Sequence, residues 1–474
     1  MATKRFCIKI LKVQRTLTFV EKWLKLVHEV QRTVLLNFVT VRCTFENRLE
    51  FEFCKYFAAL PLFIKKRFTQ NTLIVLLLNF VFSCAEKQDV TRFSSWQSSP
   101  TEEKLLQQLM NGFKEKNQEI PFKFEPIPGN YGEKIQLMLG THQPPDLFWI
   151  KDYTSPAFMR FDVLAPLDDF IKKDSTFDLN DFFPLFRDAY QYKNKYYGFA
   201  KDFNTYVLFY NKEMFAKAGI TQPPTNWKEL QETAKKLTID TNGDGKIDQY
   251  GIVIEPVFEM LMPFVHQNGG ELQDKDGNPL INQPAFLGAL NYYYGLYKNK
   301  IATIPTDVGA GWNGDAFGRK SAAMVISGGW LIPYLKDGYP KIKYGVTTLP
   351  AGKVKATLAF STAYVIPKEA KHPENAWKML SYFAGKEGMT KWTATGLAFP
   401  TRKSVAEANG FYTHPTYKVF MESVPFARPL FVKYSERWYD EAGASLQSVF
   451  YGGVSPEEAM KNLEPRLIKL KLKD

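Results

Sequence analysis

Cysteine is absent from most of this sequence. All four cysteines lie at or before position 84 of 474 residues, so the rest of the chain can form no disulfide and must be stabilised by its core. None of them forms a C-x-x-C pair, which removes support for a zinc or redox motif. The sequence has only five histidines and lacks the H-E-x-x-H, G-x-S-x-G and G-x-x-x-x-G-K-[ST] motifs. Metalloprotease, serine-hydrolase and P-loop functions therefore lose their simplest sequence support.

Acidic residues are scarce only at the start of the chain. Residues 1–83 carry 14 Lys and Arg against 5 Asp and Glu, whereas the whole chain carries 61 against 49. Most of the net charge of +12 thus belongs to the N-terminal segment. A nucleic-acid-binding protein needs a basic surface on its folded domain, so we expect no nucleic-acid partner. The length exceeds what one core usually serves, which predicts two lobes.

Residues 65–84 have the pattern of an export signal. A basic cluster at 65–67 is followed by an apolar run at 73–81, which is shorter than the roughly 20 residues needed to span a bilayer. The run ends in Val-Phe-Ser-Cys, which resembles a bacterial lipobox and implies that Cys84 carries lipid. The alternative is a buried hydrophobic helix with an incidental cysteine.

Residues 1–64 precede this signal and do not fit it, because a signal peptide begins close to its basic cluster. We interpret them as an extension that arises from a misassigned translation start. No Met lies between Met1 and Met110, so the true start would be a non-Met codon. The alternative is a basic, amphipathic segment that lies on a membrane surface.

Strand and helix patterns alternate in the body of the chain. Residues 90–96 read as a strand, a capped helix opens at Ser99, and residues 146–150 form a short apolar run typical of a buried strand. This order predicts an open, mostly parallel sheet whose ligands bind at the carboxyl ends of the strands. Strand patterns at 206–210 and 322–326 predict a second sheet, and hence an α/β protein with two lobes.

One polar loop has the spacing of a calcium site. Asp240, Asn242, Asp244 and Asp248 occupy ligand positions 1, 3, 5 and 9, and Lys246 would contribute its backbone carbonyl. Position 12 is Gly instead of the usual bidentate Glu. A structural calcium ion and a turn held by Asx hydrogen bonds therefore both remain open.

Several motifs follow one another along the body. They are Pro145-Asp146-Leu147, DFNTYVLFYNK at 202–212, FGRKSAAM at 317–324, Gly328-Gly329-Trp330 and GLAFPTRKS at 396–404. Their order and spacing, over residues 86–474, resemble the family 1 extracellular solute-binding proteins of ABC importers.

The resemblance implies a two-lobed periplasmic-binding-protein fold with a hinge of crossing strands near 202–206, 360–362 and 425. The first lobe would comprise 86–202 and 362–424, and the second 203–361 and 425–474. It also implies an exported, lipid-anchored monomer that captures a sugar between its lobes, delivers it to the membrane permease subunits, and needs neither catalysis nor a cofactor.

Sugars offer apolar faces and rims of hydroxyls, which suit flat aromatic rings together with carboxylates or amides. For each aromatic candidate the alternative is a core residue, and for the two aspartates it is a helix cap or a salt bridge. By resemblance, we expect the ligand-binding residues to be Trp96, Gln97, Asp146, Trp149, Asp202, Tyr206, Trp312, Trp330 and Arg402.

Two other functions fit the same features. A carbohydrate-active surface enzyme could use Asp146 and Asp202 as acid and base, because glycosidases also combine Trp stacking with paired carboxylates. A sensory adaptor on the same fold would instead present its ligand to a membrane receptor.

Overall fold

The computed structural model of the protein describes residues 89–97, 99–430, 434 and 437–471. These residues belong to one compact unit, Asp89–Asp474. Residues 1–64, the predicted signal peptide and Cys84 lie outside the described residues.

The first lobe begins with alternating strands and helices. In chain order its elements are β1 (Thr91–Trp96), α1 (Pro100–Lys116), β2 (Phe122–Ile127), α2 (Tyr131–Gly140), β3 (Leu147–Lys151), α3 (Ser155–Arg160), α4 (Asp168–Lys173), α5 (Pro184–Arg187), β4 (Gln191–Tyr192), β5 (Lys195–Tyr196) and β6 (Gly198–Thr205).

The second lobe follows with a similar alternation. Its elements are β7 (Val207–Asn211), α6 (Lys212–Lys217), α7 (Trp227–Leu237), β8 (Tyr250–Val253), α8 (Phe258–Gln267), α9 (Pro284–Lys298), β9 (Ala302–Thr303), α10 (Asn313–Gly318), β10 (Ala322–Ser327), α11 (Leu331–Gly338) and β11 (Tyr344–Thr347).

The chain then returns to the first lobe and ends with two helices on the second. These elements are β12 (Thr357–Val365), α12 (Pro373–Phe383), α13 (Lys386–Thr393), α14 (Lys403–Ala408), α15 (Tyr417–Ser423), β13 (Ala427–Pro429), α16 (Trp438–Phe450) and α17 (Pro456–Leu470).

Helix α1 shows how the sequence specifies an element. The Ser99 hydroxyl accepts the Glu102 N–H at 3.3 Å, and Pro100 occupies the first turn, where it displaces no intrahelical bond. The buried face includes Leu105, Leu109 and Phe113, which repeat every four residues as the helical period requires.

The first sheet has the order β13-β12-β3-β1-β2, and β6 also pairs with β12. Strand β1 is parallel to β2 and to β3, as the alternating pattern predicted. Strand β12 enters from the second lobe and runs antiparallel to β3 and β6. The second sheet, β11-β7-β10-β8-β9, pairs β10 and β9 with β8 in parallel, and pairs β7 antiparallel to β10 and β11. The sheets are therefore mixed, whereas the sequence predicted mostly parallel ones.

Strands β6 and β12 connect the two sheets. They pair from Ala359↔Thr205 to Val365↔Gly198, and only Tyr206 separates β6 from β7 in the second sheet. The first crossing thus lies at Tyr206, at the end of the expected crossing segment 202–206. Strand β13 still belongs to the first sheet, so the third crossing follows Pro429 instead of lying at 425.

Candidate functional site

A cavity of about 450 Å³ lies where the strands cross between the sheets. Both lobes and the crossing strands contribute to its walls, as expected for a ligand trapped between lobes. Its lining residues are Trp96, Ser99, Glu102, Lys151, Asp152, Tyr153, Lys201, Asp202, Asn204, Tyr206, Glu259, Trp330, Phe360, Ser361, Thr362, Leu397 and Ala398.

Lys201 and Asp202 form a buried ion pair on the first-lobe wall. The Lys201 ammonium lies 2.5 Å from Asp202 Oδ2, and 3.9 Å and 4.4 Å from the ring centres of Trp392 and Trp149. Trp392 Nε1 donates to the same carboxylate oxygen at 2.6 Å. A buried cation needs such compensation, and the result is a carboxylate fixed in position at the cavity wall.

Asp152 joins the end of β3 to the crossing strand β12. Its carboxylate accepts the backbone N–H groups of Ser361 at 2.9 Å and Tyr153 at 2.8 Å. Burial, at 3% exposure, raises the pKa of Asp152 to about 7, although the two N–H donors act in the opposite direction. Asp152 is thus a hinge group that titrates near neutrality.

Three aromatic rings form the wall on the second-lobe side. Tyr206 meets Phe360 edge to face with ring centres 4.7 Å apart, and meets Trp330 in the same way at 6.1 Å. Burial raises the pKa of the Tyr206 phenol well above its ordinary value. Trp330 is only half-buried, so its ring combines a fixed position with an accessible surface.

Asn204 connects the crossing strand to both lobes. Its Oδ1 accepts the Gly329 N–H at 2.7 Å, and its Nδ2 donates to the Leu397 carbonyl at 3.1 Å. A Cβ on Gly329 would lie 2.6 Å from the Gly396 carbonyl oxygen and 2.8 Å from Asn204 Oδ1. Only glycine permits this close approach, which explains the Gly-Gly-Trp motif before α11.

The structure brings four of the predicted ligand residues to the cavity: Trp96, Asp202, Tyr206 and Trp330. Gln97 lies exposed just after β1, where its N–H bonds the Ile127 carbonyl. Trp312 directly precedes α10 as its N-cap residue and packs against Tyr334, with ring centres 4.7 Å apart. Gln97 and Trp312 are not among the residues that line the cavity.

Two further candidates, Asp146 and Trp149, make contacts inside the first lobe and do not line this cavity. The Asp146 carboxylate accepts the N–H groups of Arg92 and His372, both at 2.8 Å. It therefore ties β1 to the start of α12, at the end of β3 away from the cavity. Trp149 is 0% exposed and packs against Trp392 and Tyr364, so it is a core residue and does not line this cavity.

Arg402 is likewise a structural residue. It is 2% exposed, donates to Asp181 at 3.2 Å and to the Ala384 carbonyl at 2.6 Å, and lies 4.0 Å from the Phe182 ring centre. Desolvation lowers the pKa of its guanidinium, while Asp181 opposes this shift. Its contacts hold the first lobe together instead of reaching ligand.

Sequence reasoning missed several cavity residues. Lys151, Asp152 and Tyr153 directly follow the predicted strand at 146–150, so the rule that ligands bind at the carboxyl ends of strands could have found them. Lys201 adjoins the predicted Asp202. Glu259 had no local signal, because it reaches the cavity only through the packing of α8.

The loop proposed to bind calcium is tied by its own hydrogen bonds. Asp240 accepts the N–H groups of Gly243 at 2.7 Å and Gly245 at 2.8 Å, and Asp248 accepts from Thr241. Among the described residues, no group of three or more His, Cys, Asp or Glu side chains is arranged to hold a metal ion. Calcium binding at Asp240, Asn242, Asp244, Lys246 and Asp248 stays a prediction.

Within the part of the chain that the structure describes, no helix has the length and apolar character to cross a membrane.

The chain is similar to bacterial binding proteins. A binding protein of Brucella abortus (strain 2308) is 25% identical over 369 residues, which cover 75% of this chain and 87% of that protein. The arabinooligosaccharide-binding protein of Bacillus subtilis (strain 168) is 24% identical over 350 residues, 68% of this chain and 78% of that protein.

A solved structure shares the fold. The ABC substrate-binding protein of Listeria monocytogenes in complex with cycloalternan aligns with a TM-score of 0.72 and 25% identity, over 80% of this chain and 98% of that one. Residues 97–390 match the family described as "Bacterial extracellular solute-binding protein". With more than half of its length matched to that family, this chain belongs to the bacterial extracellular solute-binding proteins.

Proposed function

We propose that this protein captures a sugar between its two lobes and delivers it to the permease subunits of an ABC importer. It acts outside the cytoplasm as a monomer, anchored to the membrane by lipid on Cys84. Trapping between lobes requires that neither lobe complete the site alone, since a ligand favours closure only if it contacts both.

The observation that carries this proposal is the composition of the cavity. It combines the half-buried rings of Trp96 from the first lobe and Trp330 from the second with the fixed polar groups of Asp202 and Asn204. Such a pairing of stacking surfaces and oriented hydrogen-bonding groups suits the faces and hydroxyl rims of a pyranose. The oligosaccharides named for the Bacillus and Listeria relatives support the same ligand class.

Binding without catalysis is supported by the hydrogen bonds and ion pairs that the carboxylates already make with protein groups. The proposed acid–base pair does not meet, because Asp146 lies in the first-lobe interior and not at the cavity. Asp152 accepts two backbone N–H groups, Asp202 pairs with Lys201, and Glu259 accepts the Tyr439 hydroxyl. Each of these cavity carboxylates is already held by a protein group.

A thermal-shift screen, followed by calorimetry, tests the proposal. The panel contains glucose, mannose, galactose and arabinose, together with their linear oligosaccharides of two to four rings. We expect at least one series to raise the melting temperature by several degrees, because a ligand at about 100 times its Kd stabilises by about 2.7 kcal/mol. Failure of every series to bind would refute the sugar-receptor function.

The same samples separate a receptor from an enzyme. After prolonged incubation with the purified protein, chromatography of the bound sugar should recover it unmodified. Shortened or rearranged products, lost in the Asp202→Asn variant, would instead establish the carbohydrate-active enzyme.

Mass spectrometry of protein purified from its native membrane tests the anchor. A mature N-terminus at a diacylated Cys84 is the expected result. A mature chain that retains residues 1–83 would refute both the lipid anchor and the misassigned start.

A further inference from the structure

A second cavity, of about 480 Å³, lies entirely within the first lobe and adjoins the cavity between the lobes. Trp96, Lys151 and Tyr153 line both cavities. The other walls come from the loop after β2, the first half of α2, residues 148–150 of β3, and helix α3 with the residue before it. The shared residues make the second cavity a continuation of the first around the Trp96 ring.

The second cavity exists because β1 and β3 separate before they end. Their pairing covers only Phe93↔Leu147 and Ser94↔Phe148. Beyond this point Tyr131 takes the place of the strand partner: its hydroxyl donates to the Trp149 carbonyl at 2.7 Å and accepts the Trp149 N–H at 3.1 Å. Tyr131 thus satisfies the backbone of β3 and holds open the crevice between two parallel strands, where open α/β sheets bind ligands.

Trp96 is fixed as the wall between the cavities. Its ring meets Trp149 at 4.7 Å and Tyr131 at 5.7 Å, with interplanar angles of 68° and 89°. These edge-to-face contacts prevent the indole from swinging across the opening. The two cavities therefore stay connected along the edge of the Trp96 ring.

The second cavity has the size and chemistry for sugar rings. A hexopyranose occupies about the volume of six waters, roughly 180 Å³, so either cavity exceeds the volume of one ring. Tyr131 and Phe158 supply apolar surface, and Asn130 and Thr154 supply polar groups. This mixture matches the composition of the cavity between the lobes.

We infer that the preferred ligand is a linear oligosaccharide of at least three rings. Its inner rings occupy the cavity between the lobes, and an end ring passes Trp96 into the first-lobe cavity against Tyr131. This inference rests on the proposed sugar-binding function and adds the length of the ligand and the lobe that holds its end.

Calorimetry with the mono- to tetrasaccharides of whichever panel series binds tests ligand length. The trisaccharide should bind at least about tenfold more tightly than the disaccharide, because only the longer chain reaches the second cavity. Equal affinity for the di- and trisaccharide would overturn the inference while leaving the sugar-binding function intact. Failure of all series to bind would instead remove the function on which it rests.

A cavity-filling variant locates the end ring. Gly132 lies in the first turn of α2 and lines only the second cavity, so Gly132→Leu is compatible with a helix and places a side chain where the ring would lie. It should keep the disaccharide affinity within about twofold and lose most of the tenfold gain for the trisaccharide.

Gly140→Leu is the matched control. Gly140 is the last residue of the same helix, and a Cβ there meets no atom within 4 Å. The affinities of Gly140→Leu for the mono- to tetrasaccharides should therefore equal those of the unsubstituted protein. A Gly132→Leu variant that keeps the full trisaccharide gain would overturn the assignment of the end ring. Loss of disaccharide binding at an unchanged melting temperature would overturn it too.

Discussion

The rings of Tyr153 and Tyr439 stack 5.6 Å apart at an interplanar angle of 10°. Tyr153 follows β3 in the first lobe, and Tyr439 lies on α16, which packs on the second. The Tyr439 hydroxyl donates to Glu259 of α8, and the Tyr153 hydroxyl accepts from Lys151 at 2.9 Å. This stack joins the lobes beside the cavity.

Replacing Tyr439 should weaken sugar binding, although Tyr439 is not one of the rings on which we expect the sugar to stack. Aromatic pairs contribute about 0.5–1.5 kcal/mol beyond their buried area, so Tyr439→Ala should lower affinity about 2- to 12-fold by destabilising closure. Tyr439→Phe keeps the stack and is the matched control. Calorimetry measures both, and small-angle scattering should show a smaller ligand-induced decrease in radius of gyration for Tyr439→Ala. Unchanged affinity and scattering in that variant would remove the stack from the closure mechanism.

Trp330 and Trp149 should respond differently to the same substitution. Trp330 is half-buried at the cavity, so Trp330→Ala should reduce sugar affinity at least about tenfold with a modest loss of stability. Trp149 is fully buried, so Trp149→Ala should cost about 3–5 kcal/mol of unfolding free energy. Urea unfolding and calorimetry on the same samples distinguish the two. A large stability loss with unchanged affinity in Trp330→Ala would make it a core residue.

Calcium should have only a weak effect on this protein. Position 12 of the loop is Gly251, where even a Cβ would lie 2.0 Å from the Ala234 carbonyl oxygen, so a bidentate Glu cannot be accommodated. Loops with few charged ligands bind in the range of about 0.1–1 mM. We expect EDTA to leave the melting temperature unchanged and calcium to raise it only at millimolar concentration. A saturable rise at micromolar calcium would contradict this, and Asp240→Asn should then abolish the rise.

The sequence predicted the elements better than the details of the site. The caps at Ser99 and Asn226 and the buried strands follow from local pattern, and the structure contains them. The first-lobe site residues were harder, because a strand pattern does not show which neighbouring element each side chain contacts. Asp146 directly precedes β3 and Trp149 lies within it, yet the Asp146 carboxylate ties the sheet to the start of α12 and the Trp149 ring fills the core.

Long-range packing explains the remaining differences. By resemblance, Arg402 was expected to bind ligand. Its ion-pair partner Asp181 lies 221 positions away in the sequence, and no local sequence pattern predicts such a contact. Glu259 reaches the cavity only because α8 packs beside the crossing strand. The antiparallel direction of β12 also depends on the chain returning from the second lobe.

Asp152 gives the hinge a dependence on pH whose sign follows from burial. Its pKa is raised to about 7 in the folded protein, against about 3.9 in an unfolded chain. Lys151 opposes this shift and Glu259 adds to it, but desolvation is the largest cause. Between these two values the folded state binds the extra proton, so the contribution of Asp152 to stability is complete below about pH 4 and is lost as the pH rises to about 7.

Asp152→Asn tests this dependence, because Asn has a similar shape and cannot ionise. The unfolding free energy of the unsubstituted protein should fall relative to that of Asp152→Asn as pH rises between about 4 and 7, by at most about 1.4 kcal/mol per pH unit, since one proton is involved. Urea unfolding at each pH measures the difference. Asp169→Asn is the control, because the Asp169 side chain is 86% exposed, and its difference from the unsubstituted protein should stay flat. A difference for Asp152→Asn that is also flat, or that grows in favour of the unsubstituted protein as pH rises, would show that Asp152 is already ionised in the hinge at acidic pH.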